Sequence, residues 1–166
     1  MTNSEVWKTC LKPRKELEEV LERINKSTEI KDAHIELSSL SRADDLVKFH
    51  EENFIPDDTL CTSIGVVYDE DARQFLLAFL ADNLSVIIVD NRTNEIIASL
   101  GLVLEYDGMP NVKLANKKLG LAAGYLNYKQ EDMNVYKRFK CNKSVNLAFL
   151  CTHRQHRGKR TSNYCI

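Results

Sequence analysis

Apolar positions along the chain follow two rhythms, one near 3.6 residues and one of 2, and the switches between them mark out the elements. Leu17, Val20, Leu21 and Ile24 recur at i, i+3, i+4 and i+7, which predicts a helix over 13–26. Pro13 suits its first position, where the missing N–H has no intrahelical partner to lose. Residues 34–40 alternate and read as a first strand. Ser41, with Asp44 three residues on, predicts a helix start resembling a capping box, and Ala43, Leu46, Val47 and His50 form the inner face. Residues 53–65, broken by Pro56, read as a loop. Ala72, Phe75, Leu76, Phe79 and Leu80 give a full apolar stripe over 69–81, with Asp69, Glu70 and Asp71 favouring its N-terminus.

The second half is richer in strand signals. The β-branched run in 84–90, a turn at 91–94 and a long strand over 95–106 predict an antiparallel hairpin. Gly108 and Pro110 then interrupt the chain. Leu119, Ala122, Ala123 and Leu126 fit one helical face, although Gly120 and Gly124 weaken that helix. Met133, Val135, Tyr136 and Phe139 suggest a second, short one. Val145, Leu147, Phe149 and Cys151 alternate with Asn146, Ala148, Leu150 and Thr152, and both sets are mostly apolar, as in a strand buried on both faces. The sum is an α/β chain with a mixed, largely antiparallel sheet flanked by helices.

Composition adds bounds. A chain of 166 residues, 43% hydrophobic and 28% charged, fits one soluble domain. Its net charge of −1 gives no global pull toward nucleic acid or an anionic membrane. No apolar run reaches transmembrane length, and the first ten residues lack a signal-peptide core. The 5 cysteines are dispersed, without a C-x-x-C pair, which fits reduced thiols in a cytoplasmic protein and no metal site.

The candidate chemistry begins where the last strand ends. After Thr152 the chain turns polar: His153, Arg154, Gln155, His156, Arg157, Gly158, Lys159, Arg160. A strand running into a glycine-bearing turn, with basic side chains and backbone N–H groups, is a place for phosphate oxygens. Residues 155–160 resemble the acyl-CoA pyrophosphate loop of the GNAT acetyltransferases, whose pattern is Arg/Gln-x-x-Gly-x-Gly/Ala. Arg160 departs from it, standing where the family has a small residue. The Asp57-Asp58-Thr59-Leu60 run after Phe54 is similar to the Asp-Glu-Pro-Leu loop of the insect-type arylalkylamine N-acetyltransferases, and Asp58 falls at the position of their general base, one methylene shorter. The 84–106 hairpin, with Asn94 where the family has Gly, and the helical insertion before the last strand carry the rest of the resemblance.

The resemblance implies a GNAT-like fold and acetyl transfer from acetyl-CoA, as co-substrate, to a primary arylalkylamine. It implies Asp58 as the catalytic carboxylate. Leu150, Cys151 and Thr152 would lie along the pantetheine, with Leu150 as oxyanion donor, and Gln155, His156, Arg157, Gly158, Lys159 and Arg160 would bind the pyrophosphate, with Arg154 adding charge. Tyr125, Tyr128 and Tyr136 are candidates for an aromatic amine pocket or for ordinary helix packing. Residues 1–33 read as an N-terminal helical extension and 34–166 as a partial acetyltransferase domain. The family continues well beyond this loop, so the expectation is a truncated fold with weak or absent turnover and an uncovered edge strand prone to self-association. The alternative is a non-catalytic protein of the same fold that pairs with a full-length paralogue. Nucleic-acid binding through 153–160 is the third reading, disfavoured by the acidic balance elsewhere.

Overall fold

In the computed structural model, which describes residues 12–28, 30–78, 84–110 and 113–158, four strands form one antiparallel sheet in sequence order. Helix α1 (Arg14–Thr28) leads into β1 (Ala33–Leu37). A 3-10 turn (Leu40–Arg42) precedes α2 (Ala43–Asn53), followed by the short α3 (Thr59–Ile64) and by α4 (Glu70–Ala78). The hairpin β2 (Val86–Asp90) and β3 (Ile96–Tyr106) comes next, then α5 (Lys117–Met133), α6 (Val135–Phe139) and β4 (Lys143–Thr152). Among the described residues no helix is long and apolar enough to cross a membrane.

The period-2 pattern sorts the sheet into two faces. Ile87, Val89, Ile96, Phe149 and Cys151 meet Leu46 and Phe49 of α2 and Leu76 of α4. On the opposite face Ala33, Ile35, Ile88, Ala98 and Leu100 pack with Leu21 of α1. A third cluster, Cys61, Val66, Ala72 and Leu119, ties α3, α4 and α5 together. His50 packs against Phe49 and Phe149 of the first cluster. It is 2% exposed, its ring meets Phe149 edge-on with centroids 4.5 Å apart, and its Nε2 lies 2.8 Å from Ser99 Oγ. Burial pushes its pKa down to about 3, so it is a neutral core residue.

The two margins of the sheet differ. Beyond β1, Asn25 of α1 reaches across: its Nδ2 donates to Ile35 O and its Oδ1 accepts from Ile35 N–H, both at 2.7 Å. Arg14 donates to Ser38 O and Leu37 O at 3.0 and 3.2 Å. The helix thus closes the backbone edge of β1 with side-chain amide and guanidinium groups. At the other margin, no strand among the described residues pairs with the outer edge of β4.

Several sequence expectations need correction. Ser41 caps nothing: Ser39 and Ser41 hydroxyls pair at 2.7 Å, and α2 starts from a 3-10 turn instead. Residues 53–65 are not a plain loop, because Asp58 Oδ1 accepts Cys61 N–H at 2.7 Å and Gly65, at φ +67°, ends a helix. β4 is not buried on both faces, since Val145 is 57% and Leu147 47% exposed. The last turns of 69–81 lie outside the described residues. Asn94 adopts φ +61°, performing the role of the Gly it replaces, and Arg42 holds it through its side-chain oxygen at 2.7 Å.

Candidate active site

The end of α2, the turn after it and the end of β4 converge at one place. Backbone direction alternates along a strand, and His153 N–H donates to Ile97 O on β3 at 2.9 Å. Cys151 therefore presents its backbone groups to β3, while Leu150 and Thr152 present theirs to the open margin. Thr152 O confirms the phase by accepting Arg157 Nε at 2.9 Å. A bulge sits just upstream: Gly101 faces Phe149 and Leu102 faces Leu147, leaving Ala148 unpaired on β4.

After β4 the chain makes a 3-10 turn over Arg154–His156. Arg154 places a two-pronged contact on Asp57, Nε to Oδ2 and Nη2 to Oδ1, each at 2.8 Å. Arg157 adds Nη1 to Asp57 Oδ2 at 2.6 Å and Nη2 to Asn53 O at 2.7 Å. Asn53 Oδ1 accepts Arg154 N–H at 3.2 Å. These contacts fasten the turn before α3 to the turn after β4. Donation from Arg154 and then Arg157 holds the Asp57 carboxyl well below the usual carboxylate range, and Asp57 in return raises Arg154.

Between the fastened turns lies a cavity of about 470 Å³, lined by Asn53, Phe54, Asp57, Asp58, Thr59, Leu150, Cys151, Thr152, His156, Arg157 and Gly158. Asp58 thus shares one cavity with six of the nine residues expected to bind the cofactor: Leu150, Cys151, Thr152, His156, Arg157 and Gly158. Gln155 is not in the lining, and Lys159 and Arg160 lie outside the described residues. Burial pushes the Cys151 thiol up to about 12, so it lines the cavity as a protonated, unreactive group.

Arg154 and Arg157 do not project as phosphate-seeking charges, because Asp57 already occupies both. The turn's backbone donors are also engaged: Gln155 N–H with His153 Nδ1 at 3.3 Å, His156 N–H with His153 O at 2.8 Å, and Arg157 N–H with Arg154 O at 3.4 Å. Gly158 has φ +73° and open space where a Cβ would be. The tyrosines lie elsewhere. Tyr125 and Tyr128 are exposed, and Tyr136 places its hydroxyl 3.2 Å from Ser144 Oγ. Sequence reasoning missed Asn53, Phe54 and Thr59 as lining residues. It also missed Asp57 as an anchor, although an Asp pair facing two arginines offered a signal of charge balance.

Solved structures give this geometry a context. An arylalkylamine N-acetyltransferase of Aedes aegypti superposes with a TM-score of 0.71 at 17% identity, over 80% of this chain and 66% of its own. The chain has the fold of the GNAT acetyltransferases. A second Aedes aegypti structure, an arylalkylamine N-acetyltransferase described as putative, gives a TM-score of 0.68 at 17% identity over 76% of this chain and 55% of its own. A Drosophila melanogaster polyamine N-acetyltransferase gives 0.61 at 14% identity over 78% and 64%. This chain therefore spans between half and two thirds of these GNAT-fold structures. No protein-family model matches the sequence, and no curated protein matches it significantly.

Proposed function

We propose that this chain binds acetyl-CoA along the open margin of β4 and transfers the acetyl group to a primary amine of the arylalkylamine class. The observation that carries the reading is the cavity in which outward-facing Leu150 and Thr152 backbone groups lie with the Asp58 carboxylate. Those strand groups suit the amides of a pantetheine arm, which pair as another strand would. Leu150 N–H would donate to the thioester carbonyl oxygen as negative charge grows there. Asp58 keeps Oδ1 on Cys61 N–H, which fixes the carboxylate and leaves Oδ2 to take the amine proton, directly or through water. The amine nitrogen bonds to the carbonyl carbon, the C–S bond breaks, and the thiolate leaves with the thioester's electron pair. Holding both reactants in one cavity supplies much of the acceleration.

The outward backbone groups of Leu150 and Thr152 suit such a ligand as they stand. The 155–157 turn fits the pyrophosphate only after its N–H groups leave their internal partners. Lys159 and Arg160 remain proposed contacts there. We also retain the division at residue 33, with α1 as an extension packed against the domain that follows.

Thermal unfolding with and without acetyl-CoA tests the reading. Ligand at about 100 times its dissociation constant stabilises the fold by roughly 2.7 kcal/mol. For a chain of this size that raises Tm by about 5–10 °C. Asp58→Asn separates two roles, because Asn caps α3 as well as Asp but cannot act as a base. The expected result is a retained shift with amine acetylation abolished. No shift in the wild type would refute the binding reading. Equal turnover in Asp58→Asn would refute the base. A second reading rests on the exposed Val145 and Leu147: a non-catalytic domain whose β4 margin pairs with a related chain. It predicts a dimer or complex that forms without acetyl-CoA binding.

A further inference from the structure

The chain's net charge of −1 conceals a strong division. Residues 113–143 hold eight basic side chains and two acidic ones, a formal +6, which leaves −7 on the remainder. This segment is α5 with α6 and their flanks. It also holds a dense group of exposed apolar side chains. Leu121 is 62%, Tyr125 51% and Tyr128 62% exposed. They recur at i, i+4 and i+7, so they form one stripe along α5. The stripe lies away from Leu119 and Ala122, the buried residues through which α5 packs on α3 and α4. Lys117, exposed, lies one turn before Leu121, the exposed Lys129 flanks Tyr128, and Asp132 sits one turn beyond it. Past the α5 C-terminus, Phe139 is 67% exposed beside Arg138, whose guanidinium carbon lies 5.7 Å from the ring centroid.

We propose that the outer face of α5, together with α6, docks on an anionic lipid bilayer. The charge is complementary to such a surface, where each lysine near the headgroups adds to binding. Leucine with tyrosine is the side-chain set that settles at an interface, apolar body inward and hydroxyl toward water. The lysine stems can lie along the apolar layer with their ammonium groups at the phosphates. Leu126 and Met133, 51% and 56% exposed, follow Leu119 at i+7 and i+14 and so add apolar surface on the opposite side of α5, beyond its packed first turns. None of the cavity-lining residues belongs to α5 or α6, so the surface is made of other residues than the proposed site.

Co-sedimentation with phosphatidylcholine vesicles, with and without phosphatidylserine, tests the assignment, with added salt as a second axis. Binding is expected only with phosphatidylserine and is expected to fall as salt rises. Lys117→Gln with Lys129→Gln should weaken it by about tenfold or more. Tyr125→Ser with Tyr128→Ser should abolish it. All four side chains are exposed, and unchanged melting curves will verify that these variants fold. Equal binding to both vesicle types, or none to either, overturns the proposal. Tighter binding to polyglutamate than to the charged vesicles also overturns it and assigns the face to an acidic protein.

Discussion

Lowering the pH from 6.5 to 4.5 should remove about 2–3 kcal/mol of stability through His50 alone. In the folded chain its pKa is near 3 against an ordinary 6.5, because the imidazole is buried against Phe49, Phe54 and Phe149, with Ser99 Oγ at hydrogen-bond distance. The sign follows from proton counting. Below pH 6.5 the unfolded chain binds a proton at this site and the folded chain does not, so stability is whole above 6.5 and falls as the pH drops toward 3. Each pH unit in that window is worth about 1.4 kcal/mol. The stabilising effects of Asp57 and Asp90, whose carboxyls are held below the ordinary range, are lost chiefly at lower pH. Urea unfolding at intervals from pH 7.5 to 4.5, on the wild type and His50→Gln, isolates the effect. The variant loses packing at pH 7.5 by about 1–3 kcal/mol. Its curve should run nearly flat where the wild type descends. Parallel curves for the two proteins would refute the assignment of a buried, uncharged His50.

Three further outcomes follow from the packing. Gly101→Ala should cost about 1–3 kcal/mol, because a methyl group there would fall inside the Phe149 ring that covers it, and circular dichroism melting will read the loss. Asn25→Ala should cost about 1–3 kcal/mol by stripping Ile35 of both outer hydrogen bonds, with increased sedimentation of higher species as the β1 edge opens. Cys151 should resist a thiol-disulfide reagent at pH 8 in the native state and react at once in urea, since burial keeps the thiol protonated; fast native labelling would contradict that.

Local signals were legible and long-range ones were not. The hairpin, α4 and α6 announced themselves through apolar spacing and turn residues, because each element's own sequence decides it. Helix α3 was overlooked because Pro56 dominated the reading, yet Asp58 before it and Gly65 after it are a cap and a stop that bracket a helix. Ser41 misled in the opposite direction, since a hydroxyl that can cap can also pair with its neighbour. The alternation of β4 gave the strand but not its exposure, which depends on what lies beside it in space. At the site, the residues named from the loop pattern include Leu150, Cys151, Thr152, His156, Arg157 and Gly158, which line one cavity with the Asp pair. The contacts of Arg154 and Arg157 with Asp57 span about a hundred residues, and no local pattern encodes them.

The unequal margins of the sheet bear on ligand and partner together. With Asn25 and Arg14 occupying the β1 side, any strand added to this sheet must enter beside β4. Such a strand would take the same Leu150 and Thr152 backbone groups that we propose for a pantetheine arm. Occupancy by small molecule and by polypeptide therefore compete for one row of donors and acceptors. A ligand that fills the row would act as a molecular spacer against self-association, and its withdrawal would turn the same row into an adhesive edge.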